Sequence, residues 1–535
     1  MDKRGTVFLA DAIHDSLVSE KDGTSRDVHD MHRMGKKQLL RRNFRFFSIF
    51  SFTVVLLSTW EVVLGTAAFG LDNGGTAGLI YMYILSFAGY IFVIASMAEM
   101  ASMAPTAGGQ YHWISEFAPP SAQRFLSYTM GWLSVMAWQC GTAAGCFLAA
   151  TELQGIIVLN YPDYNFQHWH GTLISILIAI LLVVLNTVGA RLLPYMETCA
   201  FVLHMTGFFA FVIPVWFMGA KPSLLIKLKD IISLTTQSLI GRLHPVHEPG
   251  GLAEYGTFCF DRDNHTSHCF DWIRLGGASR RGASKCVQVP APAMMATIAL
   301  NGGLGFVTVL TFCYNIGDIS TVLDTPTGFP FIQLYYNMTG SVKGTTAMVS
   351  VMVILSIANA TANMATASRQ LFAFARDQGV PFQRFFAHVP DRGRTREMPF
   401  NAILFTGVVS SLLSVINVGS TIAYNQLASM GIAALLSSYL VSTSCMALRR
   451  ARGQPLLPAH FRLGRAGLPV NLVAIGFLLL AFVMSFFPPV AHPAPDTMNW
   501  AVMVYGAVIV ASLAYYIPVG RHHYKGPVAY VRQED

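Results

Sequence analysis

The stretch Phe47–Phe69, FSIFSFTVVLLSTWEVVLGTAAF, decides how the rest of the chain is read. It is long enough to cross a bilayer as a helix, at about 20 residues per crossing. Its one formally charged residue, Glu61, sits near the middle, beside Ser58, Thr59 and Trp60, with Gly65 one turn further on. A carboxylate at that depth costs at least about 2.5 kcal/mol unless it faces a partner, a cavity or a ligand. Polar, backbone-loosening residues inside an apolar span mark a helix interrupted at mid-membrane, where ligand sites are built. The other spans then read as a scaffold that holds this segment in place.

The whole chain has the same character. Of its 535 residues, 53% are hydrophobic and 12% are charged, and the mean hydropathy is +0.47. A soluble domain carries about 25% charge, so the composition excludes a soluble protein and predicts an all-α polytopic membrane protein. The net charge of +8 would suit a nucleic-acid partner, but the basic residues cluster at the ends of apolar spans, which is the pattern of membrane topology. The eight cysteines form no metal-binding spacing and no disulfide framework; Cys140, Cys146, Cys199, Cys313 and Cys445 lie in or beside apolar spans, where Cys packs as a small apolar residue. Residues 1–45 are polar and of mixed charge, with no apolar stripe. They read as a disordered cytoplasmic tail, without a cleaved signal peptide.

Eleven spans are legible. Span 1 is the opening stretch, and spans 2 to 5 are predicted near 78–103, 125–150, 172–188 and 197–217. Spans 7 to 12 are predicted near 296–316, 347–375, 402–418, 427–448, 469–487 and 500–517, followed by a second cytoplasmic tail at 521–535. LDNGGT at Leu71–Thr76 reads as a turn. The interval from Lys221 to Pro292 differs, because its charges leave no window apolar enough to insert unaided. The connections after spans 1, 3, 9 and 11 hold no Lys or Arg, whereas the others carry Arg124, Arg191, Arg376, Arg384, Arg449 and Arg450, among others. These arginines all lie on the cytoplasmic side only if the chain crosses once between spans 5 and 7. Twelve crossings are therefore expected, with both termini cytoplasmic. The interval is then either a poor span 6 helped in by its neighbours or not the natural coding sequence.

Several segments resemble fungal amino acid/choline permeases of the amino acid–polyamine–organocation superfamily. They are STWE at Ser58–Glu61, NGG at Asn73–Gly75, SMAEMASMAPTAGGQYHWISEFAP at Ser96–Pro119, TPTGFPFIQLYYNMTGS at Thr325–Ser341 and ATASRQLFAFARDQGVPF at Ala365–Phe382. The resemblance covers roughly 47–220 and 290–520. It implies two inverted five-helix repeats with spans 1 and 6 broken at their centres, plus two further helices. It also implies a plasma-membrane permease that moves choline, γ-aminobutyrate, polyamines or amino acids by alternating access, with a proton as coupling ion and no other cofactor. Relatives carry an acidic–His–acidic pattern in span 6 and a Val-Pro-Arg motif after it; here Val289-Pro290 is followed by Ala291.

The residues suggest a substrate site. Glu61 offers a carboxylate to an amine or quaternary ammonium, or else bonds a neighbouring helix. Trp60 offers a ring face for cation–π attraction, or else packs. Ser58 and Thr59 offer hydroxyls or freed backbone, or else bond back within the helix. Asn359 and Asn363 lie one turn apart among small residues of span 8, as helix-packing amides or as site lining, and Trp138 and Gln139 of span 3 stand in the same position. The resemblance implies an inner gate in the region of Glu99, Arg369 and Arg376. No Ser/His/Asp arrangement, paired-acid cluster or metal motif points to an enzyme. The rival reading from another class is a nutrient sensor of the same fold, and a third is the inactive product of a mis-spliced gene.

Overall fold

The computed structural model describes residues 46–104, 108–165, 167–190, 192–218, 290–389, 398–419, 421–459, 461–488, 498–524 and 526–527. Residues 1–45 and the interval 219–289 lie outside these, and with them the expected tail, span 6 and its charges. Among the described residues the structure is helical without strands, and eleven helical segments are long and apolar enough to cross a membrane. They match the eleven legible spans.

Span 1 is two helices. The first, α1 (Phe46–Leu57), stops at Ser58, and α2 (Thr59–Met103) starts on the next residue. Ser58 adopts a left-handed backbone, φ 36° and ψ 44°, which costs a non-glycine residue on the order of 1–3 kcal/mol. Nothing in the local sequence demands that break, since Val, Leu, Thr and Trp all tolerate a helix. The predicted turn at Leu71–Thr76 is instead a corner inside α2, made by Gly75 at φ 59°. That backbone geometry favours glycine. The corner separates the end of span 1 at Asp72 from span 2, Gly74–Met103.

A short helix, α3 (Gly109–Phe117), precedes α4 (Gln123–Asn160), α5 (His168–Thr187) and α6 (Leu193–Met218). The described chain resumes with α7 (Pro290–Asn315), two short helices α8 (Ile319–Leu323) and α9 (Pro330–Thr339), and the long α10 (Val342–Arg376). After the one-turn α11 (Gln383–Phe386) come α12 (Phe400–Gly419), α13 (Thr421–Ala451), α14 (Gly467–Met484) and α15 (Ala501–Tyr515), which runs through a π turn into α16 (Arg521–His523). Span 3 continues to Asn160, ten residues beyond the predicted end at Ala150, and runs through Gly155 without a break.

Spans 2, 3 and 4 each pack on the span five later. The second arm of α2 lies on α7, where the Tyr83 hydroxyl donates to the Gly302 carbonyl at 2.8 Å. α4 lies on α10, with Gly145 facing Ala360, and α5 lies on α12, with Ser175 and Ser414 hydroxyls 2.9 Å apart. Such pairing is what two five-helix repeats produce. One continuous buried core joins the arms of α2 to α4, α7, α10 and α13.

Candidate functional site

The centre is built around Ser58. At a helix end the last carbonyls lack intrahelical donors and need outside partners. Here Val54 accepts from the Ser58 amide at 3.0 Å and from Asn301 Nδ2 of α7 at 3.1 Å. Val55 accepts from the Ser58 hydroxyl at 2.5 Å and from Asn359 Nδ2 of α10 at 3.3 Å. Leu56 accepts from the same Asn359 nitrogen at 2.7 Å. Asn363, one turn on, donates to Asn359 Oδ1 at 2.9 Å and fixes the amide that does this work. Through Asn359, α10 is tied to the end of α1. Thr59 is buried against Gly305 of α7, where any side chain would collide with its methyl.

Just past the break, Glu61 Oε1 lies 2.6 Å from His204 Nδ1 of α6, and both side chains are buried. Trp60 stacks on Phe211 at 6.1 Å between centroids and meets Phe208 and His204 at 6.3 and 5.9 Å. Phe211 in turn meets Tyr335 of α9 edge-on at 4.8 Å. Within this aromatic wall Trp60 Nε1, Glu61 Oε2 and His204 Nε2 have no hydrogen-bond partner among the described residues. Buried polar atoms without partners are rare in native folds and call for a ligand, a water or an ion. The side chain of Ser58 makes no capping bond to the first turn of α2, whose amides have no intrahelical acceptors.

The other predicted contacts lie elsewhere. Gly145 is the α4 residue level with Asn359. Trp138 and Gln139 sit about 10 Å from it toward the Gln123 end, by the helical rise, and Gln139 donates to Thr406 of α12 at 3.0 Å. Glu99 meets its main partner on a different helix from the one expected. Arg450 of α13 donates to both Glu99 oxygens at 2.6 Å and to Asn471 Oδ1 at 3.1 Å, and the Leu463 amide donates to Glu99 Oε1 at 3.0 Å. Arg376 lies over the Phe372 ring at 5.9 Å on the same helix, and Arg369 is three residues before Phe372. Nearby, the Tyr111 hydroxyl donates to Asp377 at 2.9 Å. At this end of the bundle Glu99 and Arg450 form a buried ion pair.

A sequence model described as amino acid permease matches residues 44–509. The chain belongs to the amino acid permease family. It is 29% identical, over 84% of its length and 96% of the relative's, to a Macrophomina phaseolina protein named for amino acid/polyamine transport. It is 24% identical to the choline transporter of Saccharomyces cerevisiae, over 91% of this chain and 83% of that one. It is also 24% identical to amino-acid permease 2 of Neurospora crassa, over 99% and 94%. Among solved structures, a variant of the Eremococcus coleocola manganese transporter aligns with a TM-score of 0.53 at 13% identity, over 91% of this chain and 95% of that one, and so shares the fold. This permease is therefore a multi-pass membrane transporter and not an enzyme.

Two site residues of the permease were missed from sequence. His204 lies inside predicted span 5, and an ionisable residue at that depth is itself the signal. Glu152 of α4 fell beyond the predicted end of span 3 and so passed as a loop residue; in the structure it is wholly buried.

Proposed function

We propose that this permease carries a small amine-bearing solute, an amino acid, polyamine or choline-like cation, across the plasma membrane by proton-coupled alternating access. The observation that carries this reading is the trio of unpartnered polar atoms on Trp60, Glu61 and His204, set in an aromatic wall directly after a broken helix. Glu61 supplies negative charge for an ammonium group, and Trp60 and Phe211 supply ring faces for its methyl or methylene shell, worth about 0.5–2 kcal/mol. The open first turn of α2 suits a substrate carboxylate where there is one. The names of the relatives support the same chemical class.

The mechanism follows from where flexibility sits. The break lets α1 tilt independently of the first arm of α2, while Asn359 ties the end of α1 to α10. With the Glu99–Arg450 end closed, solute reaches Glu61 from the opposite end; parting that pair opens the other path. The test is uptake of radiolabelled choline, lysine and γ-aminobutyrate by a transport-deficient yeast strain expressing the full chain, with surface amount measured alongside. Uptake of at least one of them, lost in Glu61→Gln at unchanged surface amount, is expected. Unchanged uptake in that variant removes Glu61 from the site, and no uptake of any of the three by the unaltered chain overturns the substrate class.

A further inference from the structure

Glu152 is the one carboxylate of the site region for which the reading above has no use. It is 0% exposed, and neither of its oxygens has a hydrogen-bond partner among the described residues. It points between two helices of the site. A Cβ added at Gly65, one turn past Glu61, would lie 3.6 Å from its Oε1, and Ser356 of α10, three residues before Asn359, is near enough to act on its charge without the geometry of a hydrogen bond. Among the described residues the other titratable group acting on it is Glu61, itself paired with His204. The count of charges is then decisive. Glu61 and His204 form a neutral pair when both are ionised, which leaves Glu152 with no counter-charge among the described residues. A lone carboxylate at that depth costs several kcal/mol, and the field of Glu61 adds to it.

We infer that Glu152 is the coupling carboxyl of this permease: it binds the transported proton, and a cationic substrate seated at Glu61 expels it. The inference rests on the proposed amine site and goes beyond it by assigning the proton to a different residue from the one that meets the solute. The step is a simple exchange. With the site empty, Glu152 holds a proton and the Glu61–His204 pair is neutral. An arriving ammonium group places a positive charge beside Glu61. The carboxyl of Glu152 then releases its proton to solvent, and its negative charge offsets the new cation. Proton and cation therefore oppose each other's binding, and by linkage the effect is reciprocal. The release gives net exchange of one proton for one cation at this pair of carboxyls.

The experiment uses the purified full chain in lightly buffered detergent solution with a pH-indicator dye and radiolabelled choline as probe. Choline binding by the unaltered protein is expected to release a proton and to tighten as pH rises. Glu152→Gln is expected to bind choline without proton release and with an affinity that no longer follows pH. Glu152→Asp, which restores a carboxyl, is expected to recover the release. Proton release by Glu152→Gln equal to that of the unaltered protein overturns the assignment. Should the unaltered chain bind no choline, the substrate reading fails by itself, and infrared titration of the carboxyl C=O band then decides the proton site. A band that fades with rising pH and is missing in Glu152→Gln but kept in Glu61→Gln upholds it; a band unchanged in Glu152→Gln sinks it. Gel-filtration elution of each variant at the position of the unaltered protein excludes misfolding as the cause.

Discussion

The bundle's centre and its arginine-bearing end use the same chemistry in opposite ways. At the end, Glu99 is saturated: Arg450 takes both oxygens, the Leu463 amide adds a bond, and Asn471 takes up more of the guanidinium. At the centre, among the described residues, Glu61 has one oxygen without a partner, Glu152 has both, and Trp60 and His204 each have one such nitrogen. A fully partnered buried charge is a lock, while a partly partnered one leaves room for a further ligand. The difference teaches where stability and function separate in this permease. Damage to the end should be read in folding and gating, and damage to the centre in binding and coupling.

The largest expected effect breaks the saturated side. Glu99→Ala leaves Arg450 buried with its main counter-charge gone, and removing one partner of a buried pair costs about 3–5 kcal/mol. Detergent-solubilised protein heated before gel filtration should lose its monodisperse peak at a clearly lower temperature. A melting temperature equal to that of the unaltered chain would mean that the pair contributes nothing and that the end is not a lock.

Next comes the break. Asn359→Ala strips the Leu56 carbonyl of its donor and leaves Val55 with the Ser58 hydroxyl alone, and an unsatisfied buried acceptor costs about 1–3 kcal/mol. A smaller fall in melting temperature than for Glu99→Ala, together with loss of uptake, is expected. Loss of stability with uptake intact would make Asn359 a packing residue alone.

A still smaller effect sharpens the lock itself. A Cβ at Gly467 would collide with the Arg450 guanidinium. Gly467→Ala is expected to cost about 1 kcal/mol, at the low end for overpacking, because the tip of Arg450 moves more easily than backbone. The cost should shrink in the Glu99→Ala background, where Arg450 is already released, since neighbours are not additive. Equal costs in the two backgrounds would show that Gly467 acts independently of the pair.

Much of this was legible in the sequence. Hydropathy placed eleven spans because each must satisfy its own backbone in lipid, and Glu61 stood out because a charge at mid-span has few excuses. The polar residues beside Glu61 marked the break, while the role of Asn359 and Asn363 was legible only as options, since their bonds depend on how α10 packs on the end of α1. Glu152 was lost to a helix end read ten residues short. The choice of Arg450 over an arginine of span 8 as the partner of Glu99 depends on how α13 crosses α2, and no local pattern encodes that crossing. The charge argument for a crossing between spans 5 and 7 falls on residues outside those described.

The smallest expected effect is none at all, and it separates the two possible coupling ions. In a transporter with a broken helix, a sodium ion is held by the carbonyls that the break sets free. At this break the carbonyls of Val54, Val55 and Leu56 each accept from a protein donor, with Asn301 and Asn359 supplying amide nitrogens where a cation would sit. An alkali ion entering here has to displace both amides and leave their N–H groups unpaired in the core, a loss of about 1–3 kcal/mol for each. Replacing external sodium by potassium at fixed pH should therefore leave the rate of uptake unchanged. Asn359→Ala is the sharper arm, because it frees the Leu56 carbonyl and leaves Val55 with the Ser58 hydroxyl alone. If a partial sodium dependence emerges in that variant and not in the unaltered chain, the amide is what keeps sodium out. If the unaltered chain already depends on sodium, the carbonyls at the break are not closed to ions, and the contrast between a filled break and an unfilled carboxylate pair loses its first half.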